Sequence, residues 1–146
     1  MSHHDTLTAA VLLDSPATAG AVSVIEVALP PRWDGPPLHH HDFDETFYVL
    51  DGELTFMVGD QLHEAGPSTI TFAPRGTHHT LANRADAPAR YLLTCTPAGF
   101  ERMFKRLAAR LAGTEPDPEA LKPYPETVVV GPTIFEHLGE RDAELT

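Results

Sequence analysis

Two stretches decide how this chain folds, His39-His40-His41-Asp42-Phe43-Asp44-Glu45 and Pro74-Arg75-Gly76-Thr77-His78-His79-Thr80-Leu81-Ala82-Asn83. Side chains two positions apart on a β-strand point to the same face, so His39 and His41 can converge on one point. Glu45 keeps the same parity after a short bend and adds an anionic oxygen. The first stretch is therefore predicted to present two imidazoles and a carboxylate to a common centre.

His79, in the second stretch, has the chemistry to complete a set of three nitrogens and one oxygen for a divalent transition metal. Iron, nickel, manganese, cobalt, copper and zinc all accept these ligands, so the sequence predicts one such ion without its identity. Four protein ligands would leave a six-coordinate ion open positions for substrate or water. His40 and His78 have the opposite parity and are expected beside the site rather than in it. Solvent exposure is expected for the histidines without such a context, His3, His4, His63 and His137.

A β-hairpin is predicted immediately after the first stretch. Asp51-Gly52 is a pair favoured in two-residue type I′ turns, which would join strands 45–50 and 53–58. In that register the interior side chains beside Glu45 are Phe47, Val49, Leu54, Phe56 and Val58. The outward side chains would be Tyr48, Glu53, Thr55 and Met57. A carboxylate in such apolar surroundings is costly unless a metal accepts it.

Further short strands are predicted at intervals along the chain, separated by Gly, Pro and Asp. They are 9–13, 23–29, 61–65, 69–73, 77–82, 90–96 and an edge strand at 127–130. Ile70 and Phe72 are expected to point inward, and His79 and Leu81 to share a face. Strands at this spacing indicate an all-β sandwich or small barrel.

The hydrophobic period changes after Phe100 to three and four residues, which predicts an amphipathic helix over 98–113 that ends at Gly113. Its apolar face is expected to cover barrel surface with Phe100, Phe104, Leu107 and Leu111. One domain over 1–146 is predicted, comprising a barrel (20–97), this C-terminal helix (98–113) and a docking tail (114–146).

The composition limits the classes of partner. The chain has 146 residues, 42% hydrophobic content and a formal net charge of −11, with Lys+Arg 10 against Asp+Glu 21. This balance argues against nucleic acid and against an anionic membrane, because both reward clustered basic residues. The single cysteine, Cys95, cannot form an internal disulfide and is expected to be a buried, inert thiol. With no secretory signal or membrane span in the sequence, a cytoplasmic protein is expected; its partner would be a small molecule, and a homodimer is left open.

The two stretches resemble the paired motifs of the cupin superfamily. The first motif is matched at His39, His41, Glu45 and Gly52, and the second at Pro74, Gly76, His79 and Asn83. Ser68 stands where the second motif has its leading glycine, and Gly35 precedes the first histidine by less than the usual spacing. The resemblance covers residues 20–97 and is closest to single-domain bacterial cupins of the quercetin-dioxygenase-like group.

The resemblance implies a double-stranded β-helix, or jelly roll, with a metal near one mouth of the barrel. It suggests an oxygenase acting on a phenolic, enolic or polyketide-like molecule. Glu45 would be either a metal ligand only or a ligand that detaches and acts as the catalytic base. The alternatives are a non-redox metal-dependent isomerase, cyclase or lyase, and a small-molecule-binding protein without turnover. The expected walls of the substrate pocket are Phe47, Val49, Leu54, Phe56, Phe72 and Leu81. Arg75 is expected in a surface turn, and Asn83 is expected to hold backbone.

Overall fold

The computed structural model describes residues 6–140. His3, His4 and the last six residues of the predicted tail lie outside the described residues. The strands are β1 (Thr8–Leu13), β2 (Ser23–Leu29), β3 (His39–His40), β4 (Asp44–Asp51), β5 (Leu54–Val58), β6 (Gln61–Ala65), β7 (Ile70–Ala73), β8 (His79–Ala82), β9 (Ala89–Thr96) and β10 (Val128–Val129). The helices are α1 (Ser15–Thr18), α2 (Glu101–Ala112) and α3 (Ile134–His137), with a 3₁₀ turn at Pro118–Leu121.

The strands form two antiparallel five-stranded sheets, in the orders β1-β2-β9-β4-β7 and β10-β3-β8-β5-β6. Side chains in β2, β4 and β9 alternate between buried and partly exposed, because a strand turns successive side chains to opposite faces. The buried side chains of both sheets meet in one core, in which Ile25 and Leu93 of the first sheet join Leu54 and Phe56 of the second. This arrangement is the predicted all-β jelly roll.

The predicted hairpin at Asp51-Gly52 is wrong. Strand β4 is paired on one edge with β9 and on the other with β7, so no edge remains for β5. The chain instead crosses between the sheets there, and β5 pairs with β6 and β8. Gly52 has a φ of 83°, and a Cβ on it would lie 2.7 Å from the Pro88 carbonyl oxygen. The crossing therefore requires glycine for both its conformation and its close approach to the backbone.

The faces predicted for β4 and β5 are partly correct, because side-chain alternation does not depend on which strand is the partner. Phe47, Val49, Leu54 and Phe56 are buried as expected. Thr55 and Met57, expected outside, are also buried, because other parts of the chain cover the outer face of the second sheet. Met57 packs with Ala82 under Ile134 and Phe135 of α3, and the Thr55 hydroxyl donates to Glu64.

The orientation predicted for β7 is also wrong. Register with β4 places Thr71 opposite Phe47 and Ala73 opposite Glu45, and paired residues share a face. Thr71 and Ala73 are therefore buried, whereas Ile70 and Phe72 are 66% and 52% exposed on the outer face of the first sheet.

Helix α2 confirms the C-terminal helix predicted from the change of period. It packs against β1 and β2, with Phe104 buried and Phe100 and Met103 packed on the core. Gly113 ends the helix with a φ of 70°, the conformation expected of a glycine C-cap. Leu111 does not cover the barrel as expected, since it is 49% exposed. Within the described residues, no helix combines the length and apolar character needed to cross a membrane.

Candidate metal centre

The two sheets bring together the four residues expected to bind a metal. His39 lies on β3 directly opposite His79 on β8, His41 follows β3, and Glu45 comes from β4 in the other sheet. Their donor atoms all lie within 4.8 Å of one another, and all four residues are buried. Residues far apart in the chain thus meet at one centre, as the parity of the two stretches predicted.

The carboxylate of Glu45 lies at the middle of this cluster. Its Oε1 is 2.8 Å from Nε2 of His41 and 2.7 Å from Nε2 of His79. The ring centroids of His39 and His79 are 4.6 Å apart, and those of His41 and His79 are 4.7 Å apart. Three imidazole nitrogens and a carboxylate oxygen therefore converge on a volume of atomic size.

The outer nitrogen of each ligand histidine is fixed by a backbone carbonyl. Nδ1 lies 2.8 Å from the Pro37 oxygen in His39, 3.1 Å from the Phe43 oxygen in His41 and 2.8 Å from the Thr77 oxygen in His79. A carbonyl only accepts, so Nδ1 must carry the proton in all three rings. The neutral form then has its lone pair on Nε2, the atom that faces the cluster. This is the tautomer that a divalent metal needs, and the residues fit such an ion.

Burial and charge set the protonation of the cluster. Burial alone would raise the pKa of Glu45, but hydrogen bonds from His41 and His79 lower it to about 2. In these bonds Nε2 of each ring also carries a proton and donates it to the carboxylate, and a bound ion would take the place of that proton. Burial lowers the pKa of His39, which favours the neutral, ligating ring. Burial also acts against protonation of His79, but the Glu45 carboxylate outweighs it and raises the pKa of His79. An anionic oxygen beside the imidazoles gives the site the charge that attracts a cation.

Phe43 is a site residue that the sequence analysis missed. It is fully buried, and its ring stacks on His41 with centroids 3.6 Å apart and an interplanar angle of 5°. Its ring centroid also lies 4.9 Å from that of Phe100, the residue before α2, and the Phe100 ring is 6.0 Å from that of His41. Its place two residues after His41, with the same parity, was the available signal.

A cavity of about 860 Å³ opens from the metal centre. His39, Glu45 and His79 form part of its wall at the buried end, and exposed Pro123 and Glu126 form part of it near the surface. Six aromatic side chains line it: Trp33, Phe47, Tyr91, Phe100, Phe104 and Tyr124. The cavity is of the size that small-molecule sites have, and its wall is mostly apolar.

The residues predicted as pocket walls fall into three groups. Phe47 and Leu81 line the cavity. Val49, Leu54 and Phe56 are buried in the core and are not part of the cavity wall, because the sheets pack tightly beyond Phe47. Phe72 is wrong as a wall residue, since the register of β7 turns it outward. The wall residues of α2 and of the segment after it were missed, because nothing in the sequence shows where a helix outside the barrel docks.

The residues beside the site have the roles expected of them. His40 and His78 stack on each other outside the cluster, with centroids 5.4 Å apart. Asn83 is fully buried and donates to the Pro30 and Ala87 carbonyls, while Arg75 lies in an exposed turn and pairs with Asp44. Cys95 is buried, and burial raises the pKa of its thiol, as expected of an inert cysteine.

The family comparison agrees with this geometry. A family model described as "Cupin domain" matches residues 25–95. The chain carries a cupin domain. The match includes all four candidate ligands and ends before α2, so the helix and everything after it lie outside the matched residues.

Solved structures share the cupin fold. The polyketide cyclase RemF from Streptomyces resistomycificus is 27% identical, with a TM-score of 0.55, and the match covers 62% of this chain and 64% of RemF. A predicted oxalate decarboxylase from Thermotoga maritima has a TM-score of 0.59 at 22% identity, over 62% of this chain and 80% of that protein. The second similarity concerns the fold alone.

One curated relative is the endoribonuclease YbeY from Myxococcus xanthus, which is 31% identical over 78 residues. That match covers 53% of this chain but 26% of the relative. The chain thus spans about a quarter of the relative's length and about two thirds of RemF.

Proposed function

We propose that this chain is a metal-dependent enzyme whose substrate is a phenolic, enolic or polyketide-like small molecule. The observation that carries the proposal is the position of the ligand cluster at the buried end of an aromatic-walled cavity of about 860 Å³. His39, His41, Glu45 and His79 would hold one divalent transition ion. Such an ion would serve as a Lewis acid and lower the pKa of a substrate hydroxyl.

Glu45 is the residue we assign as the base. In the cluster its carboxylate is held by His41 and His79. Released from these contacts inside an apolar cavity, a carboxylate gains proton affinity, because burial disfavours its charge. Phe47 and Leu81 line the same cavity, and their apolar side chains suit contact with an aromatic or enolic ring.

Ring closure is the reaction we favour. Similarity to the polyketide cyclase RemF supports it, at 27% identity over the domain that holds the cluster. Cyclisation requires removal of a proton and alignment of two parts of one molecule, which Glu45 and a shaped cavity can provide without an oxidant. Oxygenation of the same substrate class is the second candidate, supported by the motif resemblance to the quercetin-dioxygenase-like group.

One experiment separates the candidates. Protein purified without added metal would be assayed for metal content and then incubated with a panel of phenols, enols and linear polyketide analogues, with and without oxygen. We expect ring-closed product at equal rates in both atmospheres. Product formed only with stoichiometric oxygen uptake would select the oxygenase. Fully metal-loaded protein that binds the panel without converting any member would contradict an enzymatic function.

The setting we propose is the cytoplasm, with a small molecule as the partner rather than nucleic acid or a membrane. The formal net charge of −11 supports the absence of nucleic-acid and membrane partners from this proposal, because their phosphate groups would be repelled. Failure to bind DNA, RNA or anionic vesicles at low salt is the expected result.

A further inference from the structure

The outer part of the cavity wall is built by residues outside the cupin domain. Helix α2 contributes Met103, Arg106 and Leu107, and the segment that follows contributes Pro123, Tyr124, Glu126 and Thr127. We name residues 114–127 the strap, because they run from the end of α2 across the cavity to β10. The family match ends at residue 95, so this part of the wall comes from residues that the match does not include.

Two arginines of α2 hold the strap in place. Arg102 donates to the Pro123 carbonyl at 2.9 Å and to the Glu119 carboxylate at 2.8 Å. Arg106 donates from Nε to the Ala120 carbonyl at 2.6 Å and from Nη2 to the Lys122 carbonyl at 2.8 Å. The Arg106 guanidinium also lies 5.0 Å from the centre of the Tyr124 ring.

The two arginines differ in their position relative to the cavity and in the hydrogen-bond donors that the strap leaves unused. Arg106 is part of the cavity wall and Arg102 is not. Nη1 of Arg106 has no hydrogen-bond partner among residues 6–140, whereas Nη1 of Arg102 donates to Pro123. Within the same part of the chain, Arg106 is the only lysine or arginine that lines the cavity. An immobilised guanidinium with donors to spare is a preorganised site for an anionic oxygen.

We propose that Arg106 binds an anionic group of the substrate, at a part of the molecule separate from the one that reaches the metal centre. This inference rests on the proposed function, since it takes the cavity to be the substrate site. Asp34 and Glu126 also line the cavity and would repel an anion, but the Asp34 carboxylate accepts a hydrogen bond from the Phe135 backbone at 3.3 Å, and Glu126 is exposed at the outer end. Arg106 therefore decides between anionic and neutral substrates of the same shape.

Two probes of nearly equal shape test this, 2-naphthalenesulfonate and the uncharged methyl 2-naphthyl sulfone. A sulfonate is a weak metal ligand, so its affinity reports on Arg106 rather than on the metal. Binding to metal-loaded protein would be measured by calorimetry, with the emission of Trp33 as a second signal, since it is the only tryptophan of the chain and lines the cavity. We expect the wild type to bind the sulfonate at least tenfold more tightly than the sulfone.

Arg106→Gln should remove this preference, weakening sulfonate about tenfold or more and sulfone less than threefold. Arg102→Gln is the matched control, because it loosens the same strap but leaves the Arg106 guanidinium in the cavity wall. It should change both affinities by the same small factor. Equal losses of both probes in Arg106→Gln would mean that Arg106 only holds the strap, and would overturn the proposal.

The wild type alone also tests the inference, should Arg106→Gln fail to fold. Equal or tighter binding of the sulfone by the wild type contradicts a role for Arg106 in anion recognition. Sulfone binding without sulfonate preference leaves the cavity as a substrate site and refutes only the Arg106 inference. Failure of both probes to bind would count against the cavity as a substrate site and thus against both proposals.

Discussion

At the scale of single residues, the candidate metal centre depends on carbonyl groups as much as on imidazoles. The oxygens of Pro37, Phe43 and Thr77 fix which nitrogen of each histidine carries the proton. Replacing a histidine that such a carbonyl orients should therefore reduce metal affinity much more than replacing the histidine next to it in the chain.

His79→Ala should lower metal affinity by more than about tenfold, because it removes a ligand that the Thr77 carbonyl orients. His78→Ala is the control: His78 is exposed and stacks on His40 outside the cluster, so metal content should stay within about twofold of the wild type. Metal content after dialysis against a graded chelator series is the measurement. Similar losses in both variants would show that His79 is not a ligand.

Glu45→Gln should keep much of the metal and lose nearly all turnover. Glutamine retains the shape and one coordinating oxygen of Glu45, but it cannot take up a proton at that position. Metal content and turnover would be measured on the same preparation, with Thr46→Ser as the control for a change in β4 that faces away from the cavity. A metal-loaded Glu45→Gln protein that works at the wild-type rate would leave Glu45 as a ligand only.

The sequence allowed the ligands to be predicted because their chemistry and parity are written in two short stretches. His39 and His41 have the spacing of one strand face, and Glu45 keeps that parity across a bend into β4, so chemistry and spacing identified the ligands although the change of sheet could not be predicted. The orientation predicted for Phe72 was wrong because the residues of β7 alternate between two faces that the sequence does not distinguish. Only the pairing of β7 with β4 shows which face is inside. Arg106 could not be found at all, because the sequence does not show where α2 docks.

At the scale of elements, the N-terminus of α2 is fixed by a buried carboxylate that the sequence analysis did not single out. Glu101 is fully buried and accepts hydrogen bonds from the backbone and hydroxyl of Ser15 and from the Gly99 backbone, at 2.6 to 2.7 Å. Lys105, one turn later, pairs with Asp14 at 2.8 Å. These contacts join α2 to the start of α1 and so determine where Phe100 and Arg106 meet the cavity.

Glu101→Gln should destabilise the fold by about 2–3 kcal/mol. The substitution removes the charge from these hydrogen bonds, and the new side-chain NH₂ group would face N–H or O–H groups that also donate. Burial alone would raise the pKa of Glu101, but the bonds from Ser15 and Gly99 outweigh it and lower the pKa. A carboxyl with a lowered pKa in the folded state stabilises the protein above its ordinary pKa. That contribution is lost as the pH falls through the folded-state value.

Urea unfolding of wild type and Glu101→Gln over a pH series tests this. The difference in unfolding free energy between them should be full near neutral pH and shrink in acid. Glu115→Gln, at an exposed position of the strap, should show no such pH dependence. A difference that stays constant down to pH 2 would contradict the role assigned to Glu101.

At the scale of the whole molecule, the outer face of the first sheet is an apolar surface on an acidic protein. Ile70 and Phe72 are exposed there; Ile70 pairs with Tyr48, which pairs in turn with Leu92, and Phe72 pairs with Thr46. Ion pairs flank this surface, Arg75 with Asp44 at one end and Arg90 with Glu26 and Asp51 at the other. An apolar centre with a charged rim is typical of an interface. A second copy is the partner we expect, because it would present the same uncharged surface despite a net charge of −11.

Phe72→Glu should therefore convert a dimer into a monomer, by placing two like charges near the symmetry axis. Leu62→Glu is the control, an exposed residue on β6 of the other sheet. Light scattering on a size-exclusion column measures the mass of each. A monomeric wild type, or a Phe72→Glu protein that remains a dimer, would contradict this interface.

The single domain predicted over 1–146 stays a prediction, and unfolding of the wild type in one cooperative transition would support it.

The pairing of β10 with β3 has a consequence for how the protein is made. Val128 and Val129 complete the edge of the strand that carries His39 and His40, and the backbone of Leu38 bonds to Val130, Gly131 and Pro132. Chains leave the ribosome N-terminus first, so β3 can pair with β8 well before its second neighbour, β10, has been synthesised. A nascent chain stalled between residues 83 and 127 would therefore hold all four candidate ligands while this edge of β3 is still open.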